Sequence, residues 1–197
     1  MKKSIIWAVM VMVLAVYAGN FDIIKAGKAE VIKHLNDSKD TTWNTYSRGT
    51  EGYIWNPIKR ERATFYNVGD FGISYPANIH GVSIYLTAAD TNYMFNYKIY
   101  DKDGSTVLWQ SDAVTSVAGD NDVFLDIPIV LKDDFWVSVV PNAAGYPRVF
   151  SGIELGTDPA STHSYLKAND GSWYPFTDGT DYYEMFAYVL LSPYEGT

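Results

Sequence analysis

Residues 79–110 have the sequence IHGVSIYLTAADTNYMFNYKIYDKDGSTVLWQ, and this stretch decides the fold class. Apolar and polar side chains alternate in two runs, which is typical of half-buried antiparallel strands because successive residues point to opposite faces of a sheet. The DKDG tetrapeptide after the second run predicts a hairpin turn, in which Gly104 supplies a positive φ at low steric cost. The alternation predicts six inward-facing residues, namely Val82, Ile84, Leu86, Phe95, Tyr97 and Ile99.

The same strand-and-turn pattern recurs along the rest of the chain, in ERATFYNV, VFLDIPIV, FWVSVVP, HSYLKANDGSWYPF and YYEMFAYVLL. In VFLDIPIV we expect Val123, Leu125 and Ile127 to face inward and Pro128 to mark a strand end or a bulge. The last run is apolar on both sides, which favours a central strand covered on two faces. About eight or nine short strands, with turn signals roughly every 8 to 12 residues, predict an all-β fold, an antiparallel two-sheet β-sandwich that is jelly-roll-like.

The first 60 residues follow a different pattern. The opening, MKKSIIWAVMVMVLAVYAGN, has two lysines, an apolar run and then small residues, which is the layout of a cleaved secretory signal peptide at 1–18. An uncleaved signal anchor is the alternative. We expect residues 19–60 to form a strand or a helix and then an aromatic loop, and residues 61–197 to form the sandwich domain. No second hydrophobic run follows, so the sequence predicts a secreted protein, extracellular or at the cell surface, with no membrane contact beyond the signal.

The composition argues against several classes of function. The formal net charge is −8, whereas nucleic-acid phosphates are bound by clustered lysine and arginine. The short basic cluster of Lys59, Arg60 and Arg62 is interrupted by Glu61. Cysteine is absent, which removes both a disulfide framework and a lipid-modified cysteine. We therefore expect no nucleic-acid partner.

Five segments carry a resemblance to a known group of domains: YPANIHGVSIY, FNYKIYDKDGSTVLWQS, FWVSVVP, GSWYPFTDG and EMFAYVL. Over about residues 64–190 the chain resembles the β-sandwich modules of large secreted bacterial proteins, most of them of unassigned function, which sit beside proteases, adhesins or C-terminal sorting domains. The resemblance implies a jelly-roll-like accessory fold. It implies no active-site residue, because the shared features are turns and aromatic positions.

Loop aromatics are the candidate ligand-binding residues. Carbohydrate-binding jelly rolls stack the apolar face of a sugar on an exposed aromatic ring, which leaves the sugar hydroxyls free for hydrogen bonds. The candidates are Trp43, Tyr46, Tyr53 and Trp55 in the early loop, and Trp173 and Tyr174 after the NDG turn. The alternative is that these rings pack in the interior, since large aromatics dominate protein cores.

Two pairs of aspartates are candidate ligands for a structural calcium ion, which prefers hard oxygen donors. They are Asp101 with Asp103 and Asp120 with Asp122. DKDG lacks the later acidic residue of an EF-hand loop, so the alternative is ordinary hairpin chemistry in which each aspartate caps its own turn. We expect no other cofactor.

Catalytic residues are hard to assemble from this sequence. The three histidines are His34, His80 and His163, and no nucleophile elbow, HExxH or P-loop motif accompanies them. A glycosidase would need paired carboxylates, such as Glu154 and Glu184, facing each other across a cleft.

The sequence therefore predicts a secreted, non-catalytic β-sandwich binding module that recognises glycans or a cell-surface protein through loop aromatics. One alternative is a structural surface protein that assembles through its strand edges and binds no small ligand. A second alternative is a hydrolase with an unrecognised site. Exposed, coplanar aromatic rings on one surface would favour binding.

Overall fold

The computed structural model describes residues 41–46, 60–86, 92–142, 155, 157–158, 160, 162–177 and 180–196, together with the backbone of 23–25, 53–55 and 150–154. The predicted signal peptide at 1–18 and the segment 26–40 lie outside these residues. The described residues form antiparallel strands and one short 3-10 helix, so the predicted all-β fold is confirmed.

Sixteen strands occur in the part of the chain that the structure describes. The first eight are β1 Ile23–Lys25, β2 Thr42–Asn44, β3 Tyr53–Trp55, β4 Arg62–Tyr66, β5 Ala77–Leu86, β6 Met94–Asp101, β7 Val107–Gln110 and β8 Val114–Thr115. The second eight are β9 Gly119–Asp120, β10 Val123–Leu131, β11 Phe135–Pro141, β12 Phe150–Glu154, β13 Ser164–Lys167, β14 Trp173–Pro175, β15 Tyr183–Met185 and β16 Ala187–Pro193. The 3-10 helix, Val68–Phe71, follows β4.

Two large sheets enclose the hydrophobic core. The five-stranded sheet has the order β10-β5-β16-β2, and β9 pairs with β5 beside it. The seven-stranded sheet has the order β14-β13-β4-β11-β6-β7, and β8 pairs with β6. Ile84 and Val189 from the first sheet share one buried cluster with Tyr97 and Val137 from the second. The inner faces of the two sheets therefore meet, as a β-sandwich requires.

The final apolar run is divided between two sheets at Phe186. β15 belongs to a small third sheet of order β1-β3-β12-β15, whereas β16 lies in the five-stranded sheet between β5 and β2. Six of the seven residues of β16 are buried. The prediction of a central strand covered on both faces is thus confirmed for β16, and β2 from the predicted N-terminal segment pairs with it.

The six inward-facing residues predicted from the alternation in 79–110 are all 0% exposed, so that prediction is confirmed. The prediction for Ile127 was wrong, because its side chain is 81% exposed while Leu125 is buried. The pairing of β10 with β5 shifts register between Phe124 and Ile129. Between these two pairs, residues 125–128 of β10 stand against the single residue His80 of β5. A bulge of this kind leaves extra residues unpaired, so the inward alternation is interrupted at Ile127 and resumes at Ile129 and Leu131. Pro128, predicted to mark a strand end or a bulge, lies within the shift.

The predicted turns form as expected. Gly104 has φ +68° in the turn after β6, and Gly171 has φ +88° in the turn between β13 and β14. In the corner after β4, Asn67 caps the 3-10 helix and Gly72, at φ 75°, ends it.

Candidate functional site

Trp43 covers the outer side of the five-stranded sheet. Its side chain is 8% exposed, and its ring meets that of Phe124 edge-on at 6.0 Å between centroids. Phe186, Tyr188 and Leu190 complete this second buried cluster. The indole therefore contributes to packing rather than to a surface.

Tyr46 fastens the segment 41–46 to the sandwich. Its ring stacks on that of His163, with centroids 3.6 Å apart and planes 5° apart. Its hydroxyl donates to Asp70 Oδ2 at 2.7 Å and accepts from the Asn67 backbone N–H at 3.0 Å. Burial raises the pKa of the Tyr46 hydroxyl well above its ordinary value, so the hydroxyl stays protonated. These contacts join Tyr46, which follows β2 of the five-stranded sheet, to the segments beside β4 and β13 of the seven-stranded sheet.

Trp173 and Tyr174 lie in β14, at the edge of the seven-stranded sheet. The side chain of Trp173 is half-buried, and that of Tyr174 is 53% exposed. The side chains of Tyr53 and Trp55 lie outside the described residues. Because Trp43 belongs to the other large sheet, the structure does not bring it onto one surface with Trp173.

The outer face of the seven-stranded sheet carries an aromatic cluster centred on Trp136. The rings of Phe65, Tyr165 and Trp173 lie 4.8, 5.0 and 5.3 Å from that of Trp136, between centroids. We call these four residues the Trp136 cluster. All four side chains are half-buried. The cluster therefore presents partly exposed ring surface to solvent.

Strand register explains why these rings meet. Trp136 in β11 lies directly opposite Phe65 in β4, and adjacent strands place opposed residues on the same face. Their chain neighbours Tyr66 and Val137 point into the core, so Phe65 and Trp136 must point outward. Trp173 reaches the same face from β14 and stacks on Trp136 with an interplanar angle of 13°.

Two hydrogen bonds fix the tryptophans of the cluster. Trp136 donates its indole N–H to the Lys102 carbonyl oxygen at 3.1 Å, and Trp173 donates its indole N–H to the Gly104 carbonyl oxygen at 2.9 Å. Both acceptors belong to the turn after β6. A buried or half-buried indole N–H needs such a partner. Since the N–H groups are bound within the protein, the rings are held in place before any ligand arrives.

Polar groups border the cluster on the side of Tyr100. Glu61 Oε1 accepts from the hydroxyls of Tyr100 at 2.5 Å and Ser138 at 2.6 Å, and Glu61 Oε2 lies 3.3 Å from Lys167 Nζ. Lys167 Nζ also lies 4.5 Å from the centroid of the Tyr100 ring and 4.8 Å from that of Trp173. Burial, chiefly, raises the pKa of the Tyr100 hydroxyl well above its ordinary value.

Two of the four predicted calcium ligands, Asp101 and Asp103, accept backbone hydrogen bonds in the turn after β6. Asp101 Oδ1 accepts the Asp103 backbone N–H at 3.0 Å, and Asp103 Oδ1 accepts the backbone N–H groups of Ser105 and Thr106 at 2.6 and 2.7 Å. These backbone hydrogen bonds hold the pKa of Asp103 well below its ordinary value. Within the described ranges, no three His, Cys, Asp or Glu residues converge on a metal-sized site. A calcium ion bound by these aspartates or by Asp120 and Asp122 stays a prediction.

Glu184 forms a buried polar centre with His163 and Ser164. It is 1% exposed, and it accepts the His163 backbone N–H at 2.7 Å and the Ser164 hydroxyl at 2.5 Å. His163 Nδ1 lies 3.5 Å from the same carboxylate. A triad needs the imidazole between the serine and the acid, whereas here the carboxylate lies between the other two groups. Its geometry is that of a structural hydrogen-bond centre. The side chain of Glu154 and the whole of His34 lie outside the described residues.

His80 contacts Ser192 near the end of β16. His80 Nε2 lies 2.8 Å from the Ser192 hydroxyl, which is also within 3.1 Å of the Pro193 carbonyl oxygen. Burial lowers the pKa of His80. Among the described residues no carboxylate bonds to His80, so the orienting third member of a triad is missing from them.

Two solved structures resemble this chain in fold. One contains the cysteine protease and lectin-like domains of Cwp84, a surface layer associated protein of Clostridium difficile. It is 10% identical, with a TM-score of 0.52, and the match covers 80% of this chain and 37% of that chain. The other is the clostridial cysteine protease Cwp84 after propeptide cleavage, which is 11% identical, with a TM-score of 0.52 over 80% of this chain and 41% of that chain.

This chain therefore spans less than half the length of either Cwp84 chain. At such low identity the likeness concerns the fold alone, and function has to be argued from the site. It agrees, at the level of fold, with the resemblance to β-sandwich modules of secreted bacterial proteins. No family model and no curated protein sequence matches the chain. In the described part of the chain, no helix is long and apolar enough to cross a membrane.

Phe65, Trp136 and Tyr165 were not among the site residues predicted from the sequence. A signal for Trp136 was present in FWVSVVP, where an outward position between two inward ones holds an indole instead of a polar side chain. Phe65 and Tyr165 occupy corresponding outward positions in ERATFYNV and HSYLK. Apolar residues on the solvent side of a strand mark a covered face or a binding face.

Proposed function

We propose that this protein is a secreted, non-catalytic binding module that holds a glycan against the Trp136 cluster at the cell exterior. The observation that carries the proposal is a group of four half-buried aromatic rings gathered on one sheet face, with both indoles fixed by backbone hydrogen bonds. A preformed apolar surface with few polar groups beside it is the usual character of a small-ligand site.

The chemistry of a sugar suits this face. The C–H groups on one side of a pyranose ring pack against an aromatic ring, while its hydroxyl groups extend sideways. Glu61 and Lys167, beside Trp173, are an acceptor and a donor within reach of such hydroxyls. Because the indoles are already held, binding requires little further ordering of side chains.

The location in the proposal rests on the signal peptide predicted at 1–18, with the sandwich domain at 61–197. The fold likeness to Cwp84, which is described as surface layer associated and as having lectin-like domains, supports the same setting. Of the six aromatic residues predicted from sequence, Trp173 belongs to the proposed site and Tyr174 lies beside it. We assign Trp43 and Tyr46 to the support of the fold.

The test is a screen of the mature protein on a glycan array and on insoluble bacterial cell-wall polysaccharides. The variants are Trp173→Ala and Tyr165→Ala, and Tyr194→Ala is the matched control because it removes an exposed aromatic from the end of the other sheet. We expect the two cluster variants to weaken binding roughly tenfold or more and the control to bind as the parent does. Variants that stay folded and bind with unchanged affinity would contradict the proposal.

Assembly through a strand edge is the second candidate function. β10 is an edge strand of the five-stranded sheet, and Phe124, Ile127 and Val130 are 55%, 81% and 42% exposed on it. Exposed apolar residues on a sheet edge favour contact with another chain. If this is the function, light scattering of the parent shows oligomers that an Ile127→Lys variant lacks.

A further inference from the structure

Three ionisable side chains beside the Trp136 cluster, Lys98, Lys167 and Glu61, have a net positive charge. Lys167 is paired with Glu61 at 3.3 Å, whereas Lys98 has no acidic partner among the described residues. Lys98 Nζ lies 5.9 Å from the centroid of the Tyr100 ring, on the same side of the sheet. Two lysines against one glutamate make this group positive by one charge, although the whole chain carries −8.

Strand register places Lys98 beside the Trp136 cluster. In the pairing of β6 with β11, Lys98 lies opposite Ser138 and Tyr100 lies opposite Trp136. Lys98 and Trp136 are therefore diagonal neighbours on one face, a relation that separates residues by about 7–8 Å. A substituent on a carbon of a sugar ring that stacks on the cluster is therefore within reach of Lys98.

We propose that the glycan held by the Trp136 cluster is an acidic one, and that Lys98 binds the carboxylate of a uronic acid residue. This inference rests on the proposed function and narrows its ligand class. A charged donor and a carboxylate form a stronger hydrogen bond than neutral partners do. Lys98 thus selects among sugars that the rings alone would accept equally.

The charges also orient the ligand. Lys167 is already bound to Glu61 and to the Tyr100 hydroxyl, at 3.3 Å each, so it has less capacity for another anion. Lys98 has no acidic partner among the described residues and lies by the same Tyr100 ring, so it is the lysine left to bind the uronate carboxylate.

The experiment measures affinity for polygalacturonate and for the same polymer after its carboxylates have been reduced to alcohols. The parent, Lys98→Gln and Lys132→Gln are compared at low and high salt. Lys132 is the matched control because it is an exposed lysine in the turn between β10 and β11, outside the strands of the seven-stranded sheet. Poly(glycerol phosphate) is added as an anionic polymer that has no sugar ring to stack.

We expect the parent to prefer polygalacturonate, and Lys98→Gln to lower that affinity up to about fivefold while leaving binding of the reduced polymer unchanged. The preference should shrink at high salt, because ions screen exposed charges. Lys132→Gln should behave as the parent does, and poly(glycerol phosphate) should bind more weakly.

Three results would overturn the inference. Equal affinity for the two forms of the polymer, with both lost in Trp173→Ala, would leave the glycan function standing and remove the role of Lys98. Equal losses in Lys98→Gln and Lys132→Gln, or tight binding of poly(glycerol phosphate), would show attraction by charge alone. Failure to bind either polymer or any glycan on the array would overturn the proposed function as well.

Discussion

Trp173 donates its indole N–H to the carbonyl oxygen of Gly104 at 2.9 Å, although the two residues lie 69 positions apart in sequence. The bond joins the β13–β14 hairpin at one edge of the seven-stranded sheet to the turn after β6. A Cβ atom at position 104 would lie 2.7 Å from Trp173 Nε1, which is closer than real side chains approach. The turn and the Trp136 cluster are therefore fitted to each other.

Gly104→Ala should displace Trp173 and weaken glycan binding. The added methyl group meets the indole, and φ +68° is itself unfavourable for alanine by about 1–2 kcal/mol. Gly171→Ala is the control, because φ there is +88° but nothing lies within 4 Å of the added atom. We expect the positive φ to lower the free energy of unfolding of both variants in urea denaturation. Only Gly104→Ala should alter tryptophan fluorescence and glycan binding. Identical tryptophan fluorescence in Gly104→Ala and Gly171→Ala would contradict the close packing of Gly104 against Trp173.

Glu184→Gln should destabilise the fold. The carboxylate accepts hydrogen bonds from the His163 backbone and the Ser164 hydroxyl while 1% exposed, and an amide nitrogen in its place would face one of those donors. A buried unsatisfied group costs about 1–3 kcal/mol. The measurement is the free energy of unfolding in urea, with Glu195→Gln, an exposed glutamate, as the control. A loss no larger than that of Glu195→Gln would show that Glu184 is dispensable.

Tyr97 should make the fold sensitive to alkali. Its hydroxyl is buried and donates to the Asn121 carbonyl oxygen at 2.6 Å, and burial raises its pKa well above the ordinary 10.0. Since the folded pKa is the higher one, this contribution to stability is complete below pH 10 and is lost as the pH rises above it. We expect unfolding and phenolate absorbance to rise together. Tyr97→Phe should show a shallower decline in the free energy of unfolding above pH 10. An unchanged slope would contradict this assignment.

The bulge in β10 predicts opposite outcomes for two apolar residues two positions apart. Leu125→Ala removes a buried side chain and should cost about 2–5 kcal/mol, whereas Ile127→Ala removes an 81% exposed one and should change stability by less than about 0.5 kcal/mol. Urea denaturation of both variants measures the difference. Similar losses would mean that β10 continues without a shift in register.

Local periodicity predicted much of the sandwich. The alternation in 79–110 placed Val82 and Tyr97 correctly, because a sheet with one side facing the core forces every second residue inward. The same rule failed at Ile127, because a bulge breaks the period and the sequence around Pro128 allowed either a bulge or a strand end. Turn residues were predictable where conformation alone decides, as at Gly104.

The candidate site was less predictable, because it depends on which strands become neighbours. Phe65, Trp136 and Tyr165 come from three strands that are distant in sequence and adjacent in the sheet. Residue type alone also failed to separate Trp43 from Trp173. Each is a tryptophan in a polar segment, yet the first is 8% exposed and the second is half-buried on an open face.

The position of β16 has a consequence for the order in which the protein is made. Of the described strands it is the last to be synthesised, yet it lies between β5 and β2 in the five-stranded sheet. A ribosome or an export channel releases a chain from its N-terminal side first. The sheet cannot close around its middle strand until residues 187–193 have emerged. During that interval β2 and the edge of β5 that faces β16 lack their native partner, so completion of the five-stranded sheet waits for the last described strand.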